Sequence, residues 1–491
     1  MKTMNLPPYA PTLMESTRAI GYSLESALAD IIDNSIAARA NKIDIDFFPV
    51  GEAYIAIHDD GTGMSEVEIC KAMQYGNRNP NEVREVHDLG RYGLGLKTAS
   101  LSQCRRLTVV TRKAGILSGC CWDLDHIQTA KKWSLQILSN NDMRLLPAFD
   151  KFKNQSSGTL VIWQNLDKLR LGEIDFSLSM GKKMDAVRQH ISLVFHRYLS
   201  GEPGLGKKTI GINNMPVEPS DPFLSLKSTR IMDDETITVN GKKIIIRPYI
   251  LPHLSNLSAP EIKMLGGKDG MRKLQGFYVY RNKRLLVWGT WFRIMRKGDL
   301  SKLARVQVDI PNSLDDLWSL DIKKSTATPP ESVRKNLAAV INKITDGSKR
   351  TWTYRGKKEI AAGEQHLWDR LTTRDGGILY TINREHPLVE HVLQSGRKLK
   401  VALNSLLTQI ERGIPLNQLY VDLNNDEKID NDNEFSEKEL VASLEQILLI
   451  CSSDNEKNEM LERISHIEPF SAFPEVLITY KNKRMSYGNR K

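Results

Sequence analysis

No stretch of this sequence approaches the roughly 20 consecutive apolar residues that cross a bilayer. The opening MKTMNLPPYAPTLMES lacks the continuous apolar core of a secretory signal. Cysteine is scarce: Cys70, Cys104, Cys120, Cys121 and Cys451 are an odd set with no CxxC pair, and adjacent Cys120 and Cys121 are poorly placed to bridge each other. Those features exclude a disulfide scaffold and a cysteine-held zinc, and point to a reducing cytoplasm. Glycine and proline form no repeat or low-complexity tract. With 40% hydrophobic and 26% charged residues in 491, the composition is that of a soluble globular chain. At roughly 100–200 residues per domain, about three domains are expected.

Negative charge is short in one region. Residues 176–350 hold 30 Lys and Arg against 16 Asp and Glu, a surplus of 14, while the whole chain carries +10. A basic middle segment suits a polyanionic partner such as nucleic acid, or equally a solvated basic surface.

The first third carries four pieces that gain meaning from their order. SLESALADIIDNSIAARA (23–40) repeats apolar residues at helical spacing, and Asn41 is a plausible stop. Asp30 and Asn34, four apart, share a helix face, with Asp33 beside them. Acids in an apolar helix need partners. A magnesium ion held by the Asn34 amide and a water held by Asp30 would supply them. KIDIDFFPV (42–50) and YIAIHD (from Tyr54) read as strands, the second ending in DDGTGMS. In that D-x-G-x-G pattern, Asp59 can accept a hydrogen bond from an exocyclic amine such as adenine's. Gly61 and Gly63 let backbone approach a flat ring. Ser65 is placed to cap a helix running to about Tyr75. HDLGRYGLGLKTASLSQC (87–104) is a glycine-rich loop with Gly90, Gly93 and Gly95 running into a helix that bears Lys97. Such a loop offers N–H groups and a cation to phosphate, with polar 76–86 before it as a lid over the nucleotide. SGTLVIW (157–163) is a strand whose Thr159 hydroxyl is placed to orient the adenine-reading carboxylate.

In this order the four pieces resemble the GHKL ATPase superfamily (gyrase, heat-shock chaperone, histidine kinase, MutL), and more closely its MutL/MORC-like prokaryotic branch, over about residues 10–170. The resemblance implies an α/β (α+β) chain: a GHKL (Bergerat) sandwich over 1–172, a basic transducer-like β-α domain over 173–350, and a mostly helical region over 351–491 with an acidic connector and a basic, disordered tail. It implies ATP and Mg as ligands. It implies Asp30 as the general base and Asn34 as the metal ligand, Asp59, Gly61, Gly63, Met64 and Thr159 as the adenine site, and Gly90, Gly93, Gly95 and Lys97 as the phosphate loop. Among the transducer residues, IGINNMPVEPSDPF and YVYRNKRLLVWG are the most family-like. In LDIKKSTATPP (320–330), Lys323 or, preferably, Lys324 matches the lysine that reaches the terminal phosphate. The family's base is usually Glu; Asp30 is one methylene shorter, about 1.5 Å. Misplacement on that order can cost about 100-fold in rate, so slow hydrolysis is expected.

The implied function is an ATP-gated homodimeric clamp on double-stranded DNA, bound without sequence preference, with other protein subunits possible as partners and a place in restriction or phage defence. The alternative is a non-hydrolysing ATP-gated scaffold that docks proteins. A histidine kinase is disfavoured because only about 20 residues precede the Asp30 helix, and a chaperone because of the basic middle.

Other patterns carry less. GEPGLGKK (201–208) has Lys208 where a phosphate-binding loop needs Ser or Thr. DLNNDEKIDNDN (422–433) has Glu427 and Asn433 where a calcium loop needs Gly and Glu. EQHLWDR (364–370) and the His386/His391 pair give no convincing metal spacing. SEKELVASLEQILLIC (436–451) reads as an amphipathic helix with a capping start. Replacing Lys324 with Ala is expected to slow hydrolysis while leaving nucleotide affinity nearly intact. Unchanged turnover in both Lys324→Ala and Lys323→Ala would remove the sensor role.

Overall fold

The structure, a computed structural model, describes residues 3–4, 6, 8–19, 21–76, 95–228, 234–253, 256–298, 301–315, 318, 329–353, 367–372, 378–384, 389, 397–413, 436–449, 453–465 and 470–488. The chain divides into two compact units, Met1–Thr353 and Tyr354–Lys491.

The first unit begins with helices α1 (Ala10–Arg18) and α2 (Leu24–Ala37), then strands β1 (Lys42–Phe48) and β2 (Tyr54–Asp59). Helices α3 (Glu66–Met73) and α4 (Gly95–Gln103) lead to β3 (Arg106–Lys113) and β4 (Ile116–Asp123). Next come α5 (Leu124–Ala130), β5 (Gln136–Ile137), α6 (Asn140–Arg144), α7 (Phe149–Phe152) and β6 (Gly158–Gln164). After α8 (Asp167–Arg170), α9 (Phe176–Val194) and α10 (His196–Ser200), strands β7 (Thr209–Ile212) and β8 (Met215–Pro216) return to the same sheet. Its order is β5-β4-β3-β6-β2-β1-β7-β8, so it takes strands from both sides of position 172. The pairing of β1 with β7 is parallel, and β2, at the centre, pairs antiparallel with β1 and β6.

Side-chain alternation sorts this sheet into two faces. Ile55, Ile57, Leu107, Val109, Val161 and Trp163 bury one face in a core shared with α2, α4 and α9. The intervening Ala56, Val110, Leu160 and Ile162 bury the other against Met143, Phe149 and Phe152 from α6 and α7. Ser23 caps α2 by accepting from the Ser26 N–H, and Leu24, Ala27, Leu28, Ile31 and Ile32 are buried along it. That helix stops earlier than the Asn41 signal suggests. Ala38 is its C-cap and Arg39 adopts a left-handed φ of 62°. The turn is fixed from the strand side: the Ala38 carbonyl accepts from Thr62 N–H, and Asp60 accepts from the N–H groups of Asn41 and Lys42. Ser65 and Glu68 cap α3 reciprocally.

The same unit contains a second sheet. β9 (Glu235–Val239) and β10 (Lys242–Ile250) are followed by α11 (Ala259–Met264) and α12 (Gly267–Lys273). Then come β11 (Gly276–Arg281), β12 (Arg284–Thr290), β13 (Ala304–Ile310) and the long α13 (Glu331–Thr353). The order is β12-β11-β13-β10-β9. Ile244, Ile246, Phe277, Val279, Val306 and Val308 meet Val333, Leu337, Val340 and Ile344 of α13 in its core. Segment 201–208 is a loop between α10 and β7, closed at Gly201 in the left-handed conformation.

Among its described residues the second unit is mostly helical. A hairpin, Trp368–Thr372 with Ile378–Ile382, precedes helices Arg397–Gly413, Glu437–Leu449, Asp454–Ile464 and Pro474–Gly488. Ser436 and Glu439 cap the second helix reciprocally. The basic C-terminal segment, expected to be disordered, is instead helical as far as Gly488. Val476 and Leu477 anchor that helix in a core with Leu440, Leu444, Leu461 and Phe470. The acidic connector 422–433, His386 and His391 lie outside the described residues.

Candidate nucleotide site

Asp59 ends β2 and is only 5% exposed. A buried carboxylate is costly unless donors surround it. Three do. Ser35 Oγ, from α2, donates to Oδ2 at 2.7 Å, while the Gly61 and Thr159 N–H groups donate to Oδ1 at 2.9 and 3.2 Å. A carboxylate has about four acceptor positions, so capacity remains for one more donor. Burial outweighs these bonds and holds the Asp59 carboxyl above its ordinary value. Sequence reasoning assigned the contact from Thr159 to its hydroxyl. The structure gives it to the backbone N–H, because β6 pairs with β2 at this register; the hydroxyl lies 3.4 Å from that of Thr111.

The glycines around Asp59 answer to backbone crowding. Gly63 has a φ of 65°, and a Cβ there would sit 1.9 Å from the Arg112 carbonyl oxygen. Gly158 has a φ of 137°, with the Asp59 carbonyl oxygen 2.0 Å from the same hypothetical atom. A Cβ on Gly61 would meet the Ala38 oxygen and Asp59 Oδ1, both at 2.9 Å. Thr111 stitches the loop to the sheet: its hydroxyl accepts from Met64 N–H and donates to the Gly158 carbonyl. Met64 is half-buried against the main core.

Ser35 belongs to the helix that presents Asp30 and Asn34. Asp30 is 4% exposed and accepts from the Tyr22 hydroxyl at 3.2 Å. A Cβ on Gly95, the first residue of α4, would lie 3.4 Å from Asp30 Oδ2, so the N-terminal end of α4 abuts this carboxylate. Asn34 is exposed on the same helix. Among the described residues no group of three or more His, Cys, Asp or Glu residues could hold a metal. The exposed Asn34 amide offers a neutral oxygen of the kind that would suit magnesium held otherwise by phosphate oxygens and water.

Lys97, expected to add its charge to the phosphate loop, is enclosed within the protein. It is 1% exposed, its ammonium donates to the Ala72 carbonyl at 2.8 Å, and it lies 5.8 Å from the centroid of Tyr75. Nearly all of α4 is buried, and the last turn of α3 offers carbonyls without helical partners. Gly90, Gly93, Lys323 and Lys324 lie outside the described residues.

Sequence reasoning missed Ser35, Tyr22 and Thr111. A hydroxyl on the buried flank of α2, directly after Asn34, was the available signal for Ser35. Asp33, noted only as a neighbour, pairs with Arg284 of the second sheet.

Residues 22–159 match the family of histidine kinase-, DNA gyrase B- and HSP90-like ATPases. This part of the chain is a domain of the GHKL ATPase superfamily resembling those of MutL and MORC proteins. The chain is 27% identical over 264 residues to ATPase morc-1 of Caenorhabditis elegans, covering 44% of this chain and 30% of that protein. It is 32% identical over 120 residues to the DNA mismatch repair protein MutL of Rhodospirillum rubrum, covering 23% and 18%. With ATPase MORC2B of Mus musculus it shares 32% identity over 101 residues, covering 19% and 10%. The chain thus spans less than a third of the length of these relatives.

The Asp59 cradle generates a pH prediction. Because the folded-state value is raised, the folded protein binds the extra proton between the unfolded chain's ordinary 3.8 and that higher value. Asp59 therefore contributes a loss of stability as pH rises through this window, persisting above it. Asn at 59 keeps the cradle, its oxygen accepting from Gly61 and Thr159 and its amide donating to Ser35. Thermal melts of Asp59→Asn are expected to gain on wild type as pH rises through the window, while ATP binding is lost. A melting difference independent of pH would contradict this account of Asp59.

Proposed function

We propose that this protein is an ATP-binding and ATP-hydrolysing conformational clamp, dimerising when ATP is bound and acting on double-stranded DNA. The observation that carries the reading is α2, a single helix that bears Asp30 and Asn34 and, through Ser35, bonds the Asp59 carboxylate at the end of β2. In this reading Asp59 accepts from the adenine amine and Met64 walls the ring. Asn34 holds magnesium, which supplies charge neutralisation on the phosphates. Asp30 takes a proton from the attacking water. Gly90, Gly93 and Gly95 give the triphosphate backbone N–H groups. Lys97 assists there on exchanging its Ala72 carbonyl for a phosphate oxygen, and Lys324 joins from the transducer side.

Contact with DNA is supported by charge. Arg272 and Lys273 on α12, and Arg293, Arg296 and Lys297 after β12, are exposed, and the Lys297 ammonium donates to the Lys273 carbonyl. Among the described residues, no ion pair joins Lys273, Arg293, Arg296 or Lys297 to a carboxylate. Burial and the nearby charge of Arg305 hold the Lys297 ammonium below its ordinary value. Such a patch binds phosphates without reading sequence. A role in restriction or phage defence belongs to the same proposal, and the genes flanking this one test it.

A second reading, an ATP-gated scaffold without turnover, is favoured by the short reach of Asp30 and its bond to Tyr22. Turnover that falls to background in Asp30→Asn supports the enzyme; equal, negligible turnover in both proteins supports the scaffold. Light scattering after size exclusion is expected to give the monomer mass of 55.7 kDa without nucleotide and twice that with a non-hydrolysable ATP analogue. DNA affinity is expected to fall steeply with salt. Arg293→Glu with Arg296→Glu and Lys297→Glu should lower the salt slope by about one for each phosphate no longer neutralised, leaving ATP affinity unchanged. Salt-indifferent DNA binding would contradict the DNA assignment.

A further inference from the structure

Arg284 opens β12, just after a two-residue turn in which Asn282 and Lys283 both have positive φ, 48° and 69°. Such turns hold hairpins tightly, because their twist matches that of the strands. The hairpin tip is gripped from both sides. Arg281 Nε donates a buried, bifurcated hydrogen bond to the two oxygens of Asp315 at 2.8 and 2.9 Å, and the Tyr198 hydroxyl donates to the Asn282 carbonyl at 2.6 Å. From this fixed tip the Arg284 guanidinium reaches into the first layer of the unit. Its Nε lies 3.2 and 3.1 Å from the two oxygens of Asp33, and its ring-facing side is 5.8 Å from the centroid of Phe195. Both partners are buried, Asp33 at 1% exposed.

Asp33 sits on α2 between Asp30 and Asn34, about 60–100° around the helix from each. The helix that carries the proposed base and metal ligand is therefore pinned, one residue from Asn34, by a charge from the second sheet. Beside the pair, His190 of α9 packs on Trp288 of β12 with ring centroids 5.8 Å apart. Its imidazole is held down to about 4, first by burial and then by the charge of Arg284.

We propose that Arg284 is a positioning residue: through Asp33 it sets the orientation of α2, so that the second sheet governs hydrolysis through a buried ion pair. This inference rests on the ATPase reading above. A buried ion pair transmits displacement because it has no low-cost stretched state, and a shift of about 1 Å at a catalytic group can cost about 100-fold in rate. Adenine recognition should be spared, since Asp59 stands on β2.

The test compares wild type with Arg284→Met and with the doubly neutral Asp33→Asn/Arg284→Met. The single variant removes the Arg284 charge from the buried Asp33 carboxylate and is expected to melt earlier. The double variant removes both charges and keeps an apolar chain against Phe195, so it is expected to melt near wild type. It should bind ATP with magnesium within about threefold of wild type, yet turn over at least about tenfold more slowly. Hydrogen exchange gives a readout independent of turnover: ATP should slow exchange of the hairpin amides 280–286 in wild type and not in the double variant. Turnover within twofold of wild type, or equal slowing in both proteins, overturns the inference and leaves the ATPase reading standing. Absence of ATP binding by wild type overturns that reading, and this inference with it.

Discussion

Ser35, Gly61 and Thr159 direct three hydrogen-bond donors at one buried carboxylate, and the N-terminal architecture is arranged around that meeting. Each donor comes from a different element: α2, the loop after β2, and β6. Bonds to a charged group contribute roughly 1.5–3 kcal/mol each, whereas an unpaired buried carboxylate is strongly destabilising. The three elements are thereby held in register around Asp59. The close backbone approaches at Gly63 and Gly158 follow, because a loop drawn that tightly against β3 and β6 has no room for a Cβ.

α2 is the element through which this constraint spreads. Within six residues it supplies Asp30 to the Tyr22 hydroxyl, Asp33 to Arg284, Asn34 to an exposed face and Ser35 to Asp59. A helix anchored at one end by a strand-end carboxylate and along its flank by an arginine from another sheet has little freedom to tilt. On the proposed reading, this coupling would make closure of the site and movement of the second sheet one event. The basic corner formed by α12 and the segment after β12 belongs to the sheet that would move.

Much of this was legible in the sequence. Helical periodicity gave α2, alternation gave β1, the segments from Tyr54 and Gly158 read as strands, and the cap at Ser65 and the Ser-x-x-Glu pattern at Ser436 gave two helix starts that the structure caps as expected. Motif order singled out Asp30 and Gly95, which the structure sets side by side, and Asp59, which it surrounds with donors. What escaped were facts set by tertiary contact. The left-handed Arg39 ends α2 because Ala38 and Asp60 fix the turn, where local propensity favours Asn41. Lys97 is buried because its helix is enclosed. Thr159 works through its backbone because strand register, invisible in one strand's composition, presents its N–H. The partnership of Asp33 with Arg284, 251 residues apart, leaves no local trace.

The central claim is that Asp59 reads an exocyclic amine. Calorimetric titration of ATP and of inosine triphosphate, each with magnesium, tests it most directly, because the inosine ring presents a carbonyl where adenine presents the amine. The account predicts measurable heat with ATP and binding at least about 100-fold weaker with inosine triphosphate, since a buried carboxylate would face an acceptor. Equal affinity for the two nucleotides would contradict it.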